Sequence, residues 1–207
     1  MLFSQFSCDD WLELLPPSGL IREEFWQAKE DVEAVLMSAY EYLAGMDRDL
    51  FIHWALRADL ITGDNNQRDD EQNIMQSNIY PDNSYCDWGN FYSVINSSNE
   101  VIKNAPLVQE IDDTFTDFQL KSLVAEAYFL RSLSYFYLVR IYGEVPLALE
   151  PFETDASDFY IPKSTEEEVL NQISDDLLAN REFAPSGGFI TESENKGRAS
   201  KAAYDAL

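Results

Sequence analysis

Aromatic and amide side chains crowd one short stretch of this chain: Tyr80, Tyr85, Trp88, Asn90 and Tyr92. Flat rings offer large apolar area with few rotamers to freeze. They stack on the C–H face of a pyranose ring while Asn, Asp, Gln and Arg bond its hydroxyls. Tyr85 and Trp88 fall at a loop-to-helix junction, where a ring can be presented to a ligand. The same position also suits Trp88 as the core anchor of the helix that follows, so both readings stand.

Other chemistry is poorly supported. The single histidine, His53, lies beside Trp54 in a packed segment and reads as structural. No serine sits in a strained nucleophile turn, and no H-E-x-x-H, C-x-x-C or glycine-rich phosphate loop occurs. Acidic pairs arise by chance in so acidic a chain, and a glycosidase needs two carboxylates at a defined separation. The run Asp64–Glu71 is rich in oxygen ligands, yet Arg68 takes a ligand position and the central glycine of a calcium loop is missing. It reads as a solvated acidic loop, and no metal or cofactor is expected. Asn96-Ser97-Ser98 matches a glycosylation sequon on a predicted helix and is taken as coincidence.

Charge narrows the partners. Fourteen basic against 38 acidic residues leave a net charge of -24 over 207 residues. Such a chain repels nucleic-acid phosphates and anionic headgroups, so nucleic acid is excluded and membrane attachment needs a lipid or a protein partner. Neutral ligands carry no such penalty. Two cysteines, Cys8 and Cys86, are too few for a disulfide framework, and Cys86 reads as a free packed thiol. Lys121, Glu126, Arg131 and Arg140 break the most apolar stretch well below the roughly 20 residues a membrane span needs.

The elements that must position these groups are helical. Ile21, Phe25, Ala28, Val32, Val35, Leu36, Ala39 and Leu43 recur at three- and four-residue steps, predicting a helix over 20–44 with Gly45 as its stop. A short helix or irregular packed segment is expected over 49–62, then a polar loop over 63–73. A helix over 87–103 follows, with Pro106 just beyond its end. The longest helix, 116–142, is apolar nearly all round and must lie buried among others. Gly143 and Pro146 end it and start an extended exit. Arg131 and Arg140 on this helix read as buried structural cations, with Glu126 as a partner for Arg131. Thr165 and Glu168 form a capping box for a helix to about residue 180, with Val169, Leu170, Ile173, Leu177 and Leu178 facing inward. Pro185–Gly188 reads as a flexible loop, and a last helix begins near Arg198 and is cut within a small-residue face, Ala202, Ala203, Ala206 and Leu207. Pairing 87–103 with 116–142, and 165–180 with 198–207, predicts an all-α array of helical hairpins of tetratricopeptide-like type, without a clear repeat.

Several stretches resemble the SusD/RagB family. Residues 125–147, AEAYFLRSLSYFYLVRIYGEVPL, match best. Cys8-Asp9-Asp10-Trp11-Leu12 resembles the start of the mature lipoprotein, and Arg57-Ala58-Asp59-Leu60 the segment after the first long helix. Trp88 to Val101 resembles W-x-x-x-Y-x-x-I-x-x-A-N-x-V, with Ser98 where alanine is usual. Residues 162–169 resemble P-R-S-T-x-E-E-V, and residues 197–203 G-R-A-T-K-x-A. The resemblance covers essentially the whole chain.

The resemblance implies an N-terminal part of a tetratricopeptide-like surface lipoprotein: residues 1–8 as the remnant of a signal region lipidated at Cys8, and 9–207 as a helical domain incomplete at its C-terminus. It implies non-catalytic capture of a glycan at the outer membrane and delivery to a SusC-like TonB-dependent transporter. The site it implies draws on the loop before the Trp88 helix, with Trp88, Tyr85, Asn90, Asp64 and Asn66 as ligand contacts, and on a second half of the protein. A helical scaffold for a protein or peptide and an α-helical glycoside hydrolase are the competing readings.

Overall fold

The computed structural model describes residues 25–62, 68–152, 160–185 and 197–207. The expectations for Cys8, Asp64 and Asn66, and for the loop after Pro185, lie outside the described residues. In chain order the helices are α1 (Lys29–Gly45), α2 (Asp47–Arg57), α3 (Asp69–Met75), α4 (Gly89–Ile111), α5 (Asp117–Tyr142), α6 (Glu166–Asn180) and α7 (Lys201–Ala206). Two-residue strands β1 (Val145–Pro146) and β2 (Lys163–Ser164) pair antiparallel, Val145 opposite Ser164. The all-α expectation holds.

The helix expected over 20–44 is broken among the described residues: Phe25 is helical, residues 26–28 are not, and α1 begins at Lys29. The Asp31 carboxylate accepts the N–H groups of Gln27 and Ala28, and Asp112 accepts that of Lys29. These bonds satisfy donors that a helix start leaves orphaned and set the boundary there. Helix α4 runs on through Pro106 instead of stopping before it. An interior proline costs about 3 kcal/mol. Burial of Ala105 and Val108 in the core offsets that cost, as do the bonds that Asp112, just beyond the helix, makes to Thr114 and Lys29. The polar run after residue 68 likewise forms α3, because Ile74 has a small core to enter with Leu56 and Tyr85.

Helix α5 is the hub. It packs on α1, α4 and α6, and its sides bury Leu123, Ala125, Ala127, Leu130, Tyr135 and Leu138. Thr116 and Gln119 cap its start reciprocally, and Thr165 and Glu168 do the same for α6. Gly143 follows α5 at φ +73, where a Cβ would also approach Glu166 Oε1 to 3.2 Å. An L side chain there is strained by the positive φ, while the Glu166 carboxylate would have to shift slightly.

The buried charged groups of this core are paired, though not as expected. Arg131 reaches Asp176 of α6 through three bonds of 2.7–2.9 Å and donates to Asn99 Oδ1 of α4 at 2.9 Å. Glu126 instead takes Arg198 in a two-pronged pair, and Tyr40 of α1 donates to the same carboxylate. Five residues apart on one helix, Glu126 and Arg131 face different neighbours. Arg140 is exposed, not buried, and stacks over Trp54 and Phe136. On α6, Val169 and Ile173 are buried, but Leu170 and Leu178 are 44% and 74% exposed. The inward position between them belongs to Asp176, which Arg131 holds. Helix α7 docks through Tyr204, which donates to the Ala125 carbonyl, and through Asp205 on Arg181; of the expected small-residue face, Ala203 and Leu207 pack against the core while Ala202 and Ala206 are exposed.

Removing one partner of a buried pair strands the other. Asp176→Ala is therefore expected to cost about 3–5 kcal/mol, and Leu178→Ala to stay within about 0.5 kcal/mol, both read from urea unfolding.

Candidate functional site

The exit from α5 and the turn before α4 are built by polar side chains. Tyr135 Oη accepts the Ala148 N–H at 2.7 Å and donates to its carbonyl at 2.9 Å. Asn99 donates to the carbonyls of Ala148 and Glu150, and Tyr92 to that of Pro146. On the other side, Asn83 donates to the Asp70 carbonyl and accepts the Tyr85 N–H. The Asp70 carboxylate accepts from the Ser84 N–H and hydroxyl, and those bonds hold its pKa below the ordinary range. Asp87 accepts the Gly89 N–H at 2.8 Å, placing a carboxylate at the positive start of α4.

Between α2, this turn and the last turn of α5 lies a cavity of about 760 Å³, lined among others by His53, Arg57, Tyr80, Asp82, Trp88 and Tyr142. That volume falls within the range of small-molecule sites, roughly 300–1,000 Å³. Trp88 is half-buried and meets Tyr142 edge-on at 5.3 Å and Tyr92 at 5.9 Å. It both packs against the main core and lines the cavity, so the two sequence readings of Trp88 describe one side chain. Tyr80, 49% exposed, accepts a bond from Asn78 and contributes a second ring to the wall.

The other predicted contacts are placed differently. Tyr85 is only 8% exposed, packs with Leu56 and Ile74, and donates to Glu71 at 2.7 Å. Burial, and after it Glu71, raise its phenol pKa. It supports the turn from beneath and is not among the cavity's lining residues. Asn90 is exposed in the first turn of α4, also outside the lining. Sequence reasoning missed Arg57, Tyr142 and the part played by His53. Arg57 lies four residues after His53 on a helical pattern, a spacing that places both on one face. Nothing local marks Tyr142, which reaches Trp88 because α4 and α5 run antiparallel. Cys86, the free thiol of the described residues, also lines the cavity, and burial pushes its pKa up.

A family model described as "Starch-binding associating with outer membrane", of SusD-like type, matches residues 10–207. The chain belongs to the SusD-like family. SusD-like protein P38 of Formosa agariphila is 32% identical over 174 residues, covering 83% of this chain and 33% of its own length. SusD-like protein P2 of the same organism is 28% identical and is covered over 40% of its length. The chain thus spans a third to two-fifths of these curated relatives. A crystal structure of a SusD superfamily protein from Bacteroides thetaiotaomicron superposes with a TM-score of 0.71 at 25% identity, covering 87% of this chain and 42% of that one. A laminarin-binding SusD-like protein shares the fold at a TM-score of 0.70 and 23% identity, over 87% and 39% of the two chains. The last turn of the long buried helix, through Ile141 and Tyr142, supplies one wall of the cavity here.

Burial, followed by Cys86 and Asp87, pushes the Tyr142 phenol up to about 12. Its folded pKa lies above the ordinary value of 10.0, so the stability it contributes is complete below pH 10.0 and is lost as pH rises towards about 12. Tyr142→Phe should flatten the fall in unfolding midpoint over that window, followed together with phenolate absorbance.

Proposed function

We propose that this chain serves to capture a glycan at the bacterial outer membrane without cleaving it, and to pass it to a SusC-like TonB-dependent transporter. The observation that carries this reading is the gathering of the Trp88, Tyr80 and Tyr142 rings around one cavity with Arg57, Asp82 and Asp87. Rings take the apolar face of a sugar, and the polar groups take its hydroxyls. Membership of a family described as starch-binding and outer-membrane-associated supports the ligand class and the location. Engagement of His53 Nε2 by Arg57 fits a binding role better than proton transfer. Trp88 is the principal platform in this reading, Asn90 in the first turn of α4 is proposed, with Asp64 and Asn66, as a further contact, and Tyr85 supports the turn. Cys8 supplies the lipid attachment.

The test is a panel of neutral polysaccharides, soluble starch included, offered to the wild type and to the Trp88→Ala and Tyr80→Ala variants in titration calorimetry. Binding without release of reducing ends is expected. Each ring's loss should weaken binding about tenfold, the equivalent of about 1.4 kcal/mol. Tyr80→Ala should leave the unfolding midpoint almost unchanged. Absence of binding across the panel would point to a peptide ligand or a scaffold, and product release lost on removing one carboxylate would point to a hydrolase.

A further inference from the structure

We infer that His53 is a positioning residue for ligand recognition: its neutral Nδ1–H tautomer offers Nε2 to Arg57 and holds that guanidinium at the cavity as the donor that reads the ligand's oxygens. This rests on the ligand site proposed above.

Arg57 Nη1 lies 3.3 Å from His53 Nε2, one helical turn away on α2. A guanidinium carries five N–H donors and no acceptor. The facing ring nitrogen must therefore present a lone pair, and the one proton of a neutral imidazole must sit on Nδ1. His53 is 2% exposed, and Trp54 meets its ring edge-on at 5.8 Å, which fixes the ring plane. Its Nδ1 is buried with no hydrogen-bond partner among the described residues. An apolar side chain would fill this space without that cost, so packing alone does not account for an imidazole here.

Arg57 also stands apart from the ion-paired cations of the described residues. Arg131, Arg181, Arg198, Lys29 and Lys121 are paired with carboxylates. Arg57 makes no ion pair among the described residues, is exposed, and lines the cavity in a chain of net charge -24. A neutral partner leaves its charge and remaining donors available, and a planar fork suits two adjacent oxygens.

Protonation would undo the arrangement, because Nε2 would become a donor of like charge facing a donor. The charged or titratable groups on the elements around His53 are Asp47, Arg48, Asp49 and Arg57 on α2, Glu41 and Tyr42 at the end of α1, and Asp69, Asp70 and Glu71 on α3. To these are added Tyr80, Asp82, Tyr85, Cys86 and Asp87 in the turn, and Arg140 and Tyr142 on α5. Burial, and after it Arg57, hold the imidazole below its ordinary value of 6.5. The pairing is therefore intact above pH 6.5 and is lost as pH falls through the lowered folded value.

Because the chain has one histidine, its imidazole nitrogens can be read without assignment by long-range proton–nitrogen correlation. The expected result is the Nδ1–H tautomer at neutral pH and a midpoint below 6.5 that rises in Arg57→Met. With soluble starch as the probe, wild-type affinity should fall as the imidazole protonates. His53→Leu should bind about tenfold more weakly at neutral pH, the scale of one charge-assisted hydrogen bond. His53→Gln, whose amide oxygen can accept from Arg57, should restore binding and remove the pH dependence. An Nε2–H tautomer in the wild type, or wild-type affinity in His53→Leu, overturns the inference. The wild-type spectrum decides even if a variant fails to fold. Failure of the wild type to bind starch, with the Nδ1–H signature and the Arg57 coupling intact, supports the pairing while removing starch from the ligand reading.

Discussion

A buried guanidinium organises this chain. Arg131 stands at the centre of the longest helix, where leaving its charge unpaired would cost several kcal/mol. Satisfying it requires Asp176 from α6 and Asn99 from α4 to converge on the same point. Asn99 then spends its amide protons on the carbonyls of Ala148 and Glu150. Tyr135 closes the same loop from α5. One charge thereby sets the spacing of three helices and the path of the chain that leaves α5.

The cavity is a consequence of that path. With α4 and α5 locked antiparallel, the first residue before α4 and the last residue of α5 meet, which brings Trp88 against Tyr142. The second, smaller core of Leu56, Ile74 and Tyr85 holds α2, α3 and the turn together on the opposite side. The cavity lies where the edge of the main core faces this satellite. Its walls can therefore carry rings and polar groups without exposing either core. A second charged node, Glu126 with Arg198 and Tyr40, ties residues far apart in sequence to the same hub helix, and Tyr40 also accepts the Ala199 N–H.

The acidic surface belongs to the same economy. Several cations of the described residues are committed to carboxylates or to aromatic faces, as Arg140 is to Trp54 and Phe136. What remains at the cavity is a mixed lining of Arg57, Asp82 and Asp87 between rings. Such a lining suits hydroxyl-rich neutral molecules better than polyanions, in keeping with a net charge of -24.

Much of this was legible in the residues themselves. Hydrophobic periodicity marked the helices, the Thr165 and Glu168 capping box placed the start of α6 correctly, and Gly143 with Pro146 marked the end of α5. These features are local, decided by propensity, capping and backbone sterics within a few residues. The sequence also determined the family, through motifs in order along the chain, and the net charge of -24. Only the tertiary structure decided the rest. It carried α4 through Pro106 because buried neighbours outweighed a lost hydrogen bond, and it turned Leu170 and Leu178 outward because the inward position between them went to Asp176. It gave Arg131 to Asp176 and not to Glu126, sent Tyr85 into a satellite core, and assembled His53, Arg57, Trp88 and Tyr142 from three separate segments. The physical reason is that pairing of buried charge and sharing of a cavity depend on distances across the fold, and no spacing along the chain encodes them.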